Sequence, residues 1–176
     1  FDYEVEGAAV SGTPELVCEV TAQSPAGDYP IIIKRGSVSS EDVSFVNGVL
    51  TITKAPLTVK AGTYTRKQGQ ENPVFTLEYV GFKNNETETV LTKKPTATTI
   101  ATKNSTPGEY AVIVSGGESQ NYDITYVNGL LTVELVKGDV NCDGSVDIAD
   151  AVCIVNHVVG KETSTFIEAA ADMNIS

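Results

Sequence analysis

Five oxygen-bearing side chains recur at a wrapping interval between residues 139 and 150: Asp139, Asn141, Asp143, Asp147 and Asp150. Counted from Asp139 they take positions 1, 3, 5, 9 and 12, with Gly144 at position 6 and Val146 at position 8. A chain that wraps a hard divalent cation turns alternate residues inward and needs a glycine at the sharp bend. Calcium, which takes about six to eight oxygens, suits that pattern. The expected ligands are Asp139, Asn141, Asp143, the Ser145 carbonyl, Asp147 (directly or through a water) and Asp150, with Val146 anchoring the loop to a core. Four aspartates this close repel one another unless a cation sits among them. An acidic, glycine-containing solvated turn would supply the charge, but it seldom combines the glycine and the apolar residue at these positions.

The following stretch, Ala151 to Val159, reads as a helix stopped by Gly160. Its many β-branched residues lower its intrinsic helix preference, so packing must hold it. It is apolar nearly all round and calls for burial on more than one side. The expected cover is the preceding β module or a neighbouring chain. Cys153 and His157 lie four apart on this helix, a spacing zinc could use, although core packing explains them better.

The run GDVNCDGSVDIADAVCIVNHVVG resembles a type I dockerin repeat. An EF-hand loop closes on Glu at position 12, whereas Asp150 stands here, as in dockerins. Asp172, Asn174 and Ser176 resemble positions 1, 3 and 5 of a second repeat, whose loop the sequence does not complete. The resemblance implies calcium as the cofactor, a dockerin/EF-hand-like unit at 137–176 and a protein partner, cohesin-like or another surface protein. Cellulosomal dockerins usually present a hydroxyl pair at positions 10 and 11. Ile148 and Ala149 stand there, so tight binding to a type I cohesin is not expected.

The rest of the chain repeats. Gly27-Asp28-Tyr29-Pro30-Ile31-Ile32-Ile33 matches Gly108-Glu109-Tyr110-Ala111-Val112-Ile113-Val114, and Phe45-Val46-Asn47-Gly48 matches Tyr126-Val127-Asn128-Gly129, both 81 residues on. Phe1 to Gly7 matches Phe75 to Gly81, 74 residues on. The alternating apolar and Thr residues predict strands, and each Asn-Gly predicts a hairpin turn. Pro30 predicts an edge or first position for its strand, and residues 84–91 a turn or two of helix. The expected fold is mainly β: two tandem small modules, β-grasp-like or Ig-like, at 1–54 and 55–136. Ala55-Pro56-Leu57-Thr58-Val59, the stretch from Tyr64 to Pro73, Val80-Gly81-Phe82 and Asn121-Tyr122-Asp123-Ile124-Thr125 resemble the MBG family of bacterial surface repeats. Gln68-Gly69 stands where that family often has Tyr-Gly. The first copy lacks the equivalent of the opening strand, so one edge of its fold is expected to be incomplete. Only Lys137 and Gly138 separate the last β segment from the calcium loop, too few for free tumbling.

Composition narrows the function. A net charge of −11 gives no basic footprint for nucleic acid. Cys18, Cys142 and Cys153 are odd in number and far apart, not a disulfide framework. No apolar run could span a bilayer. With one histidine, and no nucleophile elbow or phosphate-cradling loop, the chain offers no catalytic constellation. Tyr29, Phe45, Tyr110 and Tyr126 could form a glycan platform, but their recurrence in both copies favours core positions. The sequence thus reads as a non-catalytic, calcium-stabilised extracellular or cell-surface module with a spacer, adhesion or interaction role. The alternative is an accessory targeting region of a polysaccharide-degrading enzyme.

Overall fold

The computed structural model describes residues 1–161 and 166–171. Phe1–Ala55 with Gln120–Asp123 forms one compact unit, and Pro56–Ser119 with the chain from Ile124 forms the other. The protein is mainly β.

In the first unit, β1 (Glu15–Val17), β2 (Gly27–Lys34) and β3 (Gly48–Ile52) make an antiparallel sheet in the order β1-β2-β3. Pro30 lies inside the central strand rather than at an edge. The proline is tolerated because β1 reaches only Ile32, leaving no ladder on that side for it to interrupt. Cys18 falls just past the end of β1, outside the sheet.

The remaining strands, which lie in the second unit except for Ala55, Tyr122 and Asp123, are β4 (Ala55–Ala61), β5 (Thr63–Lys67), β6 (Leu77–Val80), β7 (Thr96–Thr98), β8 (Gly108–Ser115), β9 (Tyr122–Val127) and β10 (Gly129–Glu134). They form a four-stranded sheet, β5-β10-β8-β7, and a three-stranded sheet, β6-β4-β9. The β10–β5 pair is parallel, a pairing that a tight turn cannot make. Leu57, Val59, Val112, Leu131 and Val133 are at most 2% exposed and mark the core of this unit. The helix expected within 84–91 is one 3-10 turn, Glu88–Val90.

The internal repeat is carried into the hydrogen bonds. β1 meets β2 at Glu15↔Lys34, and β7 meets β8 at Thr96↔Ser115. β2 meets β3 at Gly27↔Ile52, and β8 meets β10 at Gly108↔Val133. All four pairs obey the same 81-residue shift. Tyr29 donates its hydroxyl to the Pro25 carbonyl and Tyr110 to that of Thr106, both at 2.7 Å.

The Asn-Gly pairs are not hairpin turns. β9 and β10, which flank Asn128-Gly129, belong to different sheets. Neither Asn nor either Gly of the two pairs has positive φ. Asn128 Oδ1 instead accepts the Val114 N–H at 3.0 Å, and Asn47 Oδ1 accepts that of Ile33 at 3.1 Å. A Cβ on Gly129 would collide with the Gly62 carbonyl and the Ala61 Cβ at the corner between β4 and β5. Asn128-Gly129 marks a crossing from one sheet to the other, with the asparagine side chain bound to β8, the neighbour of the strand it leads into.

Candidate metal centre

The chain leaves β10 through Leu135, Val136, Lys137 and Gly138. Gly138, at φ 95°, donates its N–H to the Ala170 carbonyl at 2.8 Å. Ile167 donates to the Val140 carbonyl at 3.1 Å, so residues 167–170 clamp the loop entrance. Val140, Cys153 and Ala170 are buried together, with Leu135, Ile154, Phe166 and Ile167 packed around them.

The loop's own carboxylates organise its backbone. Asp139 accepts from the N–H groups of Asp143 (3.1 Å) and Gly144 (2.9 Å). Asp150 accepts from Val140 (2.8 Å) and Asn141 (3.3 Å) with one oxygen and from Asp147 (2.8 Å) with the other. Asn141 and Asp143 pair through their side chains at 2.8 Å, and Asp143 accepts the Ser145 N–H at 2.9 Å. Positive φ at Cys142 (65°) and Gly144 (94°) bends the chain back on itself.

Helix α1 (Ile148–Val158) starts three residues earlier than the apolar run suggested, because Asp147 caps it. The Asp147 side chain accepts the Ala149 N–H, and Asp150 returns a bond to the Asp147 N–H, making a reciprocal capping box. The last oxygen positions of the loop therefore also start the helix. A short helix, α2 (Glu168–Ala171), follows, and His157 stacks on Phe166 with ring centroids 3.9 Å apart.

Several expectations are corrected. Val146 is 60% exposed, its side chain lying over Gly138, where a Cβ would meet it at 2.8 Å. Val140, fully buried between Asp139 and Asn141 in sequence, is the anchor instead. Burial of α1 on more than one side is not found. Its inner face holds Asp150 and Cys153, while Ile148, Val152, Val155, Val158 and Val159 are each more than half exposed. His157 is exposed while Cys153 is buried, so the pair does not make a zinc site. Tyr126 is also exposed, with its hydroxyl tied to Gly117. Cys142 is half-buried. Burial pushes its thiol up, the charges of Asp139 and Asp150 add to this, and the Gln68 amide beside it pulls the other way.

That amide identifies residues which spacing could not. Gln68 is 1% exposed, and neither of its amide atoms has a partner of normal hydrogen-bond geometry among the described residues. Its neighbour Gly69, at φ 76°, lies against Gly144 backbone to backbone, and a Cβ on Gly69 would overlap the Gly144 Cα. The turn after β5 is thus seated directly on the bend of the loop.

Among the described residues, no three Asp, Glu, His or Cys side chains gather closely enough to form a metal-holding group. The chemistry of the donors nevertheless fits a hard cation. Asp139 and Asp150 are 0% and 3% exposed. The ion pairs found among the described residues lie elsewhere, on Lys60, Lys93, Lys94 and His157. Two buried carboxylates served only by backbone N–H groups call for a positive charge. Asp172, Asn174 and Ser176, the expected start of a second loop, lie outside the described residues.

Comparison with known families matches two stretches of the chain. Residues 57–132 match the MBG domain (YGX type), and residues 137–175 match the dockerin type I domain. The chain carries an MBG domain followed by a type I dockerin domain. No curated protein and no solved structure matches it. Both families are non-catalytic modules of extracellular or cell-surface proteins, and type I dockerins typically bind calcium and a cohesin partner. The dockerin match covers the whole carboxylate loop and α1. The MBG match includes Gln68-Gly69, the turn seated on that loop. Among the described residues no helix is long and apolar enough to cross a membrane.

Proposed function

We propose that the dockerin loop binds one calcium ion through Asp139, Asn141, Asp143, the Ser145 carbonyl, Asp147 and Asp150, and that this ion holds the C-terminal unit against the MBG domain. The reading rests on the pair of buried carboxylates, Asp139 and Asp150, which lack a cationic partner among the described residues. Calcium supplies the missing charge, and the protein supplies oxygens already directed by loop N–H groups. The chain is divided at 1–54, 55–136 and 137–176 into two MBG-like modules and the dockerin-like unit. It works as a non-catalytic spacer or adhesion segment outside the cell. Its protein partner, cohesin-like or another surface protein, covers the exposed apolar face of α1.

Calorimetric titration of metal-free protein tests the ion site. The wild type takes up one equivalent of calcium. Asp139→Ala and Asp150→Ala abolish uptake. Asp147→Asn, which keeps a good N-cap, weakens uptake less than Asp147→Ala, which loses cap and oxygen together. Absence of calcium uptake at millimolar concentration, or equal losses in all four variants, would overturn the assignment.

A further inference from the structure

The turn that follows β5 touches the dockerin segment at two places, with most of the carboxylate loop's first half strung between them. Gln68 donates its N–H to the Glu134 carbonyl, the last residue of β10, at 2.9 Å. Gly69 lies against Gly144, where a Cβ would come within 2.2 Å of the Gly144 Cα. Asp139, Asn141 and Asp143 stand on the chain between those two contacts. The turn is itself tied down: the Lys67 N–H donates to Gln70 Oε1 at 3.2 Å, and the Lys67 carbonyl accepts the Gln70 N–H at 3.3 Å. A segment fixed at both ends has fewer conformations to lose. The turn therefore preorganises three of the proposed ligands before an ion arrives.

Two unfavourable features meet inside this closed ring. Gln68 is 1% exposed, and neither amide atom has a partner of normal hydrogen-bond geometry among the described residues. A buried amide in that state destabilises the fold, where a leucine of similar size would not. Cys142, beside that amide, holds φ at 65°. That conformation is uncommon outside glycine, asparagine and aspartate. It persists only where the surroundings enforce it. Cys142 stands between Asn141 and Asp143, whose side chains pair at 2.8 Å. Its backbone angles thus decide how those two oxygen-bearing groups sit relative to each other.

We infer, resting on the calcium reading above, that Gln68 is a positioning residue for the ion: its amide braces Cys142 in the left-handed conformation, so the MBG turn raises the loop's calcium affinity while lowering its own stability. Gln68 is not a ligand in this scheme. It acts through residues 142–144, and so the affinity of the dockerin loop is set partly from within the MBG domain. Linkage makes the effect reciprocal, because an ion that favours the braced loop also favours the turn that braces it.

The test pairs calorimetric calcium titration with urea unfolding of the metal-free full chain. Gln68→Leu should raise the urea midpoint of the metal-free chain, because the unpaired amide is gone. The same variant should weaken calcium binding about tenfold, the scale on which residues behind the ligands act on a metal site. On a Cys142→Ala background, which keeps the backbone strain and removes the thiol, Gln68→Leu should change affinity by less than about twofold. Calcium binding by Gln68→Leu as tight as by the wild type would overturn the positioning role and leave the ion site standing. A fall in midpoint together with affinity would also overturn it, since ordinary packing moves both the same way. So would an equal loss of affinity on the two backgrounds. No calcium uptake by the wild type would overturn the ion site itself, and the positioning role with it.

Discussion

Arg66 shows how a single buried charge is held in the MBG domain. It is 5% exposed, donates from Nε to Asn72 Oδ1 at 2.7 Å and from its terminal nitrogens to the Lys67 and Thr102 carbonyls. Asn72 in turn donates to the Ala101 carbonyl at 2.6 Å. The planar guanidinium reaches three acceptors that diverge around it, which a lysine ammonium on a flexible stem cannot match. Arg66→Met should leave the Asn72 and Thr102 oxygens without a donor and cost about 3 kcal/mol. Arg66→Lys should recover less than half of that loss. Urea unfolding of the calcium-loaded protein measures both, and a loss under about 1 kcal/mol for Arg66→Met would show that the network contributes little. Gln68 is the opposite case, buried with both amide atoms lacking such partners, so its polar atoms represent a stability cost rather than a gain.

At the scale of elements, the junction between β5 and the dockerin loop is backbone on backbone. Gly69 needs its positive φ and also its missing side chain, because Gly144 occupies the space. Gly116 has a similar φ, 82°, with nothing within 4 Å of a Cβ. The two glycines therefore separate conformational strain from collision. Gly116→Ala should cost about 1 kcal/mol, the strain alone. Gly69→Ala should cost about 2–4 kcal/mol and weaken calcium uptake several-fold, since it displaces the bend that carries Asp143 and Ser145. Unfolding curves paired with calcium titration distinguish the outcomes. Equal effects of the two substitutions on both readings would mean that the Gly69–Gly144 contact does not support the loop.

For the molecule as a whole, acidity is concentrated where the ion would sit. From 137 to 176 seven acids face two lysines, and the loop spends its carboxylates on its own backbone. The apolar residues of α1 stay outside, with Ile148 and Val158 both 78% exposed. In the proposed function this face is the one that the protein partner covers. Its chemistry differs from a hydroxyl-led one, because loop positions 10 and 11 are Ile148 and Ala149. The calcium-loaded chain should therefore form no nanomolar complex with a type I cohesin that selects a hydroxyl pair. Replacing Ile148 and Ala149 by Ser and Thr should improve that binding at least about tenfold, worth roughly 1.4 kcal/mol. Tight binding by the unmodified chain, or no gain from the double substitution, would show that these positions do not set partner choice.

The sequence alone determined the features that depend on local chain geometry. The oxygen spacing from Asp139 to Asp150, the helix after it and the 81-residue repeat were legible because a twelve-position loop and a strand's alternation are set by nearest neighbours. Tertiary structure decided which of those residues meet. Asn47-Gly48 and Asn128-Gly129 carry a strong hairpin signal, yet neither makes a hairpin: Asn128-Gly129 joins strands of two different sheets, and each asparagine side chain accepts a backbone N–H fourteen residues away. Val140 rather than Val146 anchors the loop, because Ala170 and Cys153 close over the former. The apolar helix keeps one face exposed because its inner face is already filled by Leu135, Val140 and Ala170. Gln68 and Gly69 stood out only as a departure from the family's Tyr-Gly: their role arises where two parts of the chain, far apart in sequence, come within contact distance.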